Sequence, residues 1–567
     1  MKRQVLSLSI LLIVSLINPA LCQQLFQNVT SAMGISGQTG LGHAVGWGDI
    51  DNDGDPDLGI SNQEGDGFWF YRNDGDHFTN ITASAGLSGL GANKIIIAEM
   101  TGDEFNDLIL RTRSGTQFLF ESNGDGTFND ITASSGITSA AVYNIADFNN
   151  DGFADLVSVA GDDVSILYNN GDATFSEAEA IALMPDFFGI AVLDYNEDGL
   201  MDLYWTTYGD SPNVLLKNKG DGSFDDVTIE AGVSYNQGGH ALDVGDFNND
   251  GLIDIYVGSY SNLTCKLFSN NGDGTFSDVT VSTGTQGNHD TRTTSFVDYN
   301  SDGWLDIFSS HHDFYTYSNT MQKSNQGETF EEVAPGLGIS GEFIGDYFGH
   351  AWADFNGDGA IDFFAAGHID KYRLFKNSNC PGNWLMVDLE GVQSNPNGIG
   401  TQVDVWIDGQ RISRNMLPNG GFHDFGDLRL HFGLNEATVV DSIVVYWPSG
   451  IIQKSGAMDA NQYIRIVEGS TITDIHPAAT FCPAPTSIAP NPANERIEIS
   501  FGLSQSSEVK IALFNLNGRE VKSLLNETRN SGGHQLQVDI SDLPNGIYFL
   551  VQQTKFDKQV YKLVVTH

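Results

Sequence analysis

The stretch DFNNDGLIDIYV (Asp246–Val257) places side-chain oxygens at every second position, then a glycine, then one more carboxylate. Asp246, Asn248, Asp250 and Asp254 hold positions 1, 3, 5 and 9 of a loop whose position 6 is Gly251. An apolar, β-rich run follows at once. Nearly the same text recurs at Asp49 (DIDNDGDPD), Asp147 (DFNNDGFAD), Asp194 (DYNEDGLMD), Asp298 (DYNSDGWLD) and Asp354 (DFNGDGAID). A degenerate copy, EMTGDEFND, starts at Glu99, and successive copies start 47–56 residues apart. A fixed period of this length marks a repeat architecture, in which no single unit buries its own apolar face.

Within each period the loop leads into a run such as LVSVA, LYWTT or IYVGS. A second signature follows, as in NGDGTFNDIT (123–132), NKGDGSFDDVT (218–228) and NNGDGTFSDVT (270–280). Asn, Gly and Asp tolerate positive φ, so these segments predict hairpin turns between strands. Each unit then holds two hairpins, or four short strands, which is one propeller blade; a linear β-solenoid is the alternative. The seventh unit ends at LFKNSN (374–379) without its second signature, and the missing text stands near the start of the chain as LFQNVTSAMGIS (25–36). The N-terminal strand is therefore expected to complete the last blade and leave no open edge.

The expected fold class is all-β: a seven-bladed β-propeller over 23–380, a small β-domain over 381–469, a linker at 470–487 and a C-terminal β-sandwich over 488–567. Residues 1–22 read as a signal peptide, with Lys2 and Arg3 before an apolar run from Val5 to Ile17 and Ala20-Leu21-Cys22 before Gln23. That run is too short for a membrane-spanning helix, which needs about 20 apolar residues; a lipid-modified Cys22 is the alternative reading. After cleavage Cys265, Cys380 and Cys482 remain, with Cys265 in a strand-like run and the other two the better candidates for a disulfide.

Alternating oxygens on a tight loop converge on one point. The candidate ligands are Asp49, Asp51, Asp53 and Asp57; Asp147, Asn149, Asp151 and Asp155; Asp194, Asn196, Asp198 and Asp202; Asp246, Asn248, Asp250 and Asp254; Asp298, Asn300, Asp302 and Asp306; and Asp354, Asn356, Asp358 and Asp362. Hard oxygen donors in that number suit Ca²⁺, whereas Zn²⁺ would call for His or Cys. Asx-turn chemistry without a metal is the competing explanation. The loop at Glu99, with Thr101 and Glu104 where Asp or Asn and Gly stand elsewhere, is expected to bind weakly or not at all. About six structural calcium sites result, and they would offset part of a net charge of −46. That charge argues against nucleic acid as a partner.

The repeats resemble the FG-GAP/VCBS family, whose members include the head domain of integrin α subunits. The resemblance implies calcium loops on one propeller face and ligand recognition on the other. Residues six beyond each loop's last Asp would reach that far face: Tyr208, Tyr260, His312 and His368, with His311 adjoining His312. The phrases SNPNGIGTQV, LRLHFGL and VVYWPSG resemble the ASPIC/UnbV domain, apart from Pro396, where that family commonly has Arg. The last block (IAPNPANERIEISF, VKIALFNLNGREVKSL, ISDLPNGIYFLVQQ) is similar to the type A sorting domain of the type IX secretion system. These resemblances imply a secreted or outer-surface protein exported through the periplasm, with the type IX machinery and a glycan or protein ligand as partners. An extracellular polysaccharide lyase or hydrolase on a propeller scaffold is the alternative, and a purely structural matrix component a third. No G-x-S-x-G, H-E-x-x-H, G-x-x-x-x-G-K-[ST] or C-x-x-C occurs, so no catalytic residue is assigned.

Overall fold

The computed structural model describes residues 25–566 except 39, 63–66, 138–140, 178–179, 184–186, 208–210, 237, 261–262, 288, 312–318, 341–346, 368–371, 379–381, 419–423, 473–474, 478–486, 504–506, 517–518, 530–531 and 555–557. The signal segment, Cys380, Cys482 and most of the linker thus lie outside the described residues. Cys265 is buried, 2% exposed, as its strand context predicts. No helix of the described residues is long and apolar enough to cross a membrane.

The repeats form antiparallel sheets of one pattern. In the fifth, Gly239–Gly245, Asp254–Ser259, Lys266–Asn270 and Phe276–Asp278 pair in sequence order, and the acidic loop joins the first strand to the second. The second strand DIYVGS is buried at all six positions. A strand covered on both faces reads as a continuous apolar run, which is why these segments lack period-two alternation.

Each sheet shares a core with the next. Leu193 and Tyr204 of the fourth sheet pack with Val244 and Ile255 of the fifth. Val297 and Phe308 of the sixth pack with Phe363 and Phe375 of the seventh. The seventh returns to the first, where Phe364 and Leu374 join Val45, Trp47 and Leu58. The seventh sheet takes its fourth strand from the other end of the repeats: Phe26–Asn28 pairs antiparallel with Tyr372–Asn377, Phe26 opposite Asn377 and Asn28 opposite Phe375. Phe26 is 1% exposed and meets Phe363 edge-on at 5.4 Å.

The following segment folds as two four-stranded sheets. In one, Asn383–Glu390 pairs antiparallel with Leu430–Asn435 and parallel with Gln462–Val467. In the other, Gln402–Ile407 lies between Gln410–Asn415 and Ser442–Tyr446. This domain reaches in among the inner strands of the repeats. Phe425 exchanges backbone hydrogen bonds with Val45 (2.9 Å) and Trp47 (3.1 Å). The Lys94 ammonium donates to the Asp424 carbonyl at 2.6 Å, and the Thr293 hydroxyl to the Asp424 carboxylate at 2.7 Å. The C-terminal block is a three-stranded sheet beside a four-stranded one, with a core of its own that includes Ile499, Phe501, Ile511, Leu550 and Val565.

Candidate metal loops

Local hydrogen bonding sets each loop's shape. In the fifth loop Asp246 Oδ1 accepts from the Asp250 N–H (3.0 Å) and Oδ2 from the Gly251 N–H (2.7 Å). Asn248 Oδ1 also accepts from the Asp250 N–H (3.0 Å), and Asp250 Oδ1 from the Leu252 N–H (2.9 Å). Asn249 (φ +57°) and Gly251 (φ +86°) both take the left-handed conformation, which asks for Asn at position 4 and Gly at position 6. Asp254 ties the loop to its sheet, accepting from the Phe247 N–H (3.2 Å) and the Asn270 N–H (2.8 Å). The loops at Asp147 and Asp194 repeat these bonds, and those at Asp49, Asp298 and Asp354 most of them. Each bond uses one lone pair of a carboxylate that has about four to offer. Shaping the turn and holding a cation are thus compatible.

In the first loop Asp49, Asp51 and Asp57 each bring a carboxylate oxygen within 4.8 Å of the others. Ligands at about 2.3–2.6 Å from a shared Ca²⁺ stand at most about 5 Å apart, so this set fits a hard divalent cation. Asp51 Oδ1 is enclosed and has no hydrogen-bond partner. The second loop departs as its sequence predicts. Glu99 Oε1 accepts from the N–H groups of Thr101, Gly102 and Asp103, so its longer side chain fills the loop with its own carboxylate. Glu104 takes φ +74° where the other copies have glycine.

Charge makes these loops costly without a counter-cation. Burial raises Asp155 and Asp202 to about 8, and Asp246, Asp298 and Asp354 to about 7, with neighbouring loop carboxylates adding to the rise. Near neutral pH such carboxylates hold protons or need a cation.

Sequence reasoning did not foresee two sets of ties between sheets. In five of the sheets the Asn that opens or precedes the second signature is a staple. Asn270 Nδ2 donates to the Tyr195 carbonyl in the preceding loop (2.8 Å), Asn218 to Phe148 (2.9 Å), Asn169 to Met100 (3.0 Å) and Asn377 to Tyr299 (2.8 Å). Asn73 of the first sheet donates to Phe355 of the seventh at 2.7 Å. The position-4 Asn links loops forward: Asn52 to Glu104, Asn150 to Gly199 and Asn249 to Gly303, each at 3.0 Å. The recurrence of Asn at both places was the available signal.

The second domain sits on this loop face. Asn397 Oδ1 accepts from the Glu99 N–H (2.9 Å), Arg429 donates to the Gly54 carbonyl (2.9 Å) and Arg414 to the Gly303 carbonyl (3.2 Å). Of the residues expected at the opposite face, Tyr208, His312 and His368 lie outside the described residues. Tyr260 is half-buried with its ring 5.4 Å from that of His240. His311 is 1% exposed, 4.4 Å from His289, and burial holds it well below the ordinary histidine value. His311 is therefore an enclosed group and not the exposed contact read from the sequence, because the strand that ends there is covered on both sides.

The family of FG-GAP-like repeats matches residues 99–158, 147–205, 194–257 and 246–309. ASPIC and UnbV matches 391–473, and the secretion system C-terminal sorting domain matches 487–566. Cartilage acidic protein 1 of Xenopus tropicalis is 28% identical over 257 residues, 43% of this chain and 39% of the relative. The Homo sapiens protein is 27% identical over 255 residues, 42% and 38% respectively. The chain thus matches about two fifths of the length of these curated relatives. Among solved structures, the V. cholerae biofilm matrix protein Bap1 aligns with 95% of this chain and 76% of its own at 11% identity and a TM-score of 0.26, too low to carry a comparison. The chain accordingly carries matches to FG-GAP-like repeats over residues 99–309, followed by a match to ASPIC and UnbV and one to the secretion system C-terminal sorting domain.

Proposed function

We propose that the chain is an exported, calcium-stiffened seven-bladed propeller that presents a binding surface for a glycan or protein outside the cell, delivered by the type IX secretion system. The circular succession of contacts supports the ring: the Asn73 staple to Phe355 joins the first sheet to the seventh as the other staples join neighbours. The observation that carries the metal reading is the first loop, where three carboxylates converge on one point and an enclosed oxygen of Asp51 has no partner. Calcium bound to the native state alone stabilises it by mass action, by about 2.7 kcal/mol per site at a hundred times the dissociation constant. When bound, the ions supply charge neutralisation and cross-linking of loops, and the protein's oxygens supply the cage. Calorimetric melting with and without chelator tests this, and a large fall in Tm on chelation is expected. An unchanged melt, or no calcium by elemental analysis, refutes it. A glycan array probed with and without calcium then separates glycan from protein ligands.

A further inference from the structure

The loops differ in one respect that their shared motif conceals. On the third strand of each sheet one residue precedes the Asn or Ser aligned with Asn270, and where it is lysine it meets position 5 of that sheet's loop. In order these residues are Arg72, Glu121, Tyr168, Lys217, Ser269, Lys323 and Lys376. In the seventh loop Lys376 Nζ lies 3.0 Å from Asp358 Oδ2, and the Asp358 side chain is only 4% exposed. The rest of that loop is also occupied by protein donors: the Tyr463 hydroxyl donates to Asp354 Oδ2 at 2.5 Å, and Asn356 Nδ2 to Asp362 Oδ2 at 2.7 Å.

The other loops lack this arrangement. Arg72 engages Asp74 at 2.7 Å, and its charge also reaches Asp51 of the first loop. Tyr168 and Ser269 bring no charge from the third strand to the third and fifth loops. Lys217 meets Asp198 at 3.1 Å in the fourth loop and Lys323 meets Asp302 at 3.4 Å in the sixth, but these side chains are 24–42% exposed, and such pairs contribute little and are readily displaced. Arg414, 3.8 Å from Asp298 of the sixth loop, also donates to Asn249 of the fifth and is particular to neither.

We propose that in the seventh loop the protein's own cation takes the place of the divalent ion, Lys376 neutralising Asp358 with Tyr463 completing the bonding. The first, third, fourth, fifth and sixth loops carry calcium. A Ca²⁺ at about 2.3–2.6 Å from Asp358 would meet the ammonium that already shares that carboxylate, so one cation excludes the other. Tyr463 and His431, whose Nε2 lies 3.1 Å from the Gly359 carbonyl, seat the second domain on this same loop. That seat is thereby independent of calcium. The inference rests on the calcium reading above and narrows it.

Native mass spectrometry of the full chain at saturating calcium counts the ions. The wild type is expected to hold about five, one for each loop outside the second and seventh. Asp151→Asn in the third loop should lose one, Asp358→Asn in the seventh should lose none, and Lys376→Met should gain one. Six ions in the wild type, or loss of an ion from Asp358→Asn as from Asp151→Asn, overturns the proposal while leaving calcium binding intact. A wild-type count of zero overturns both. If Lys376→Met does not fold, the two Asp→Asn variants still decide the matter.

Discussion

Glu468 is 5% exposed, yet it is a carboxylate that must stay charged. Its Oε2 accepts from the N–H groups of Val392 (2.7 Å), Gln393 (2.6 Å) and Ser394 (2.8 Å), and its Oε1 from the hydroxyls of Ser394 (3.0 Å) and Ser449. Burial pushes its carboxyl up, but these donors together outweigh burial and hold it below the ordinary glutamate value. They also fold the SNPNGIG segment over it, which places Asn397 against the second acidic loop. A residue whose native pKa is depressed contributes stability at pH above its unfolded value and loses that contribution as the pH falls through the native one. Glu468→Gln should therefore destabilise the second domain at neutral pH by about 2–4 kcal/mol, since it removes charge-assisted bonds to several buried donors. The difference from wild type should begin to shrink as the pH falls below the ordinary glutamate value of about 4.3, and vanish only once the native carboxyl is protonated. Denaturant titrations at pH 7 and pH 3.5 check this, and a gap that does not narrow with acid would show that charge at Glu468 is not the cause.

Among the elements, the three-residue strand Phe26–Asn28 carries weight out of proportion to its length. It gives the seventh sheet its outer strand and buries Phe26 among Tyr299, Trp352 and Phe363, while the Thr30 hydroxyl accepts from the Leu374 N–H at 2.9 Å. Phe26→Ala should cost about 3–5 kcal/mol. Deleting residues 23–31 should expose both the edge and the apolar face, so that the chain melts lower and self-associates; light scattering and melting would detect either. A deletion as stable and monomeric as the parent would count against closure by this strand. This pairing was legible because LFQNVTSAMGIS repeats a text found whole in the other units. The docking of the second domain was not. It rests on single side chains such as Asn397, Arg414 and Tyr463, whose strand context says that they lie on a domain surface but not what they meet. The enclosed His311 was misread for a related reason: position along a strand indicates which end of the sheet it reaches, not whether neighbouring sheets cover that end. The lysines at 217, 323 and 376 stood at equivalent positions in the repeats, but only the distances to Asp198, Asp302 and Asp358 give those positions meaning.

At the scale of the whole molecule, the C-terminal block differs from all that precedes it. Its core, from Ala493 to Val565, contains no residue of the repeats or of the second domain. Its charge differs too: Lys510, Arg519, Lys522, Arg529, Lys555, Lys558 and Lys562 fall within one short block of a chain with 27 Lys and Arg against 73 Asp and Glu. A sandwich with its own core can fold, be recognised and be removed without disturbing packing upstream, and the Pro-rich segment before it suits a cleavable connection. The repeats and the second domain, by contrast, share buried contacts such as Lys94 with Asp424 and should travel as one body. Removing residues 487–567 should therefore leave the melting of the remainder, and its calcium count, within error of the full chain while changing its destination. In the host, the truncated protein is expected to accumulate in the periplasm, folded and calcium-loaded, and to be missing from the outer surface and the medium. Cell fractionation with calcium analysis of the retained material tests both halves of the argument. Normal appearance outside the cell would remove the sorting role, and retention in an unfolded form would remove the independence of the block.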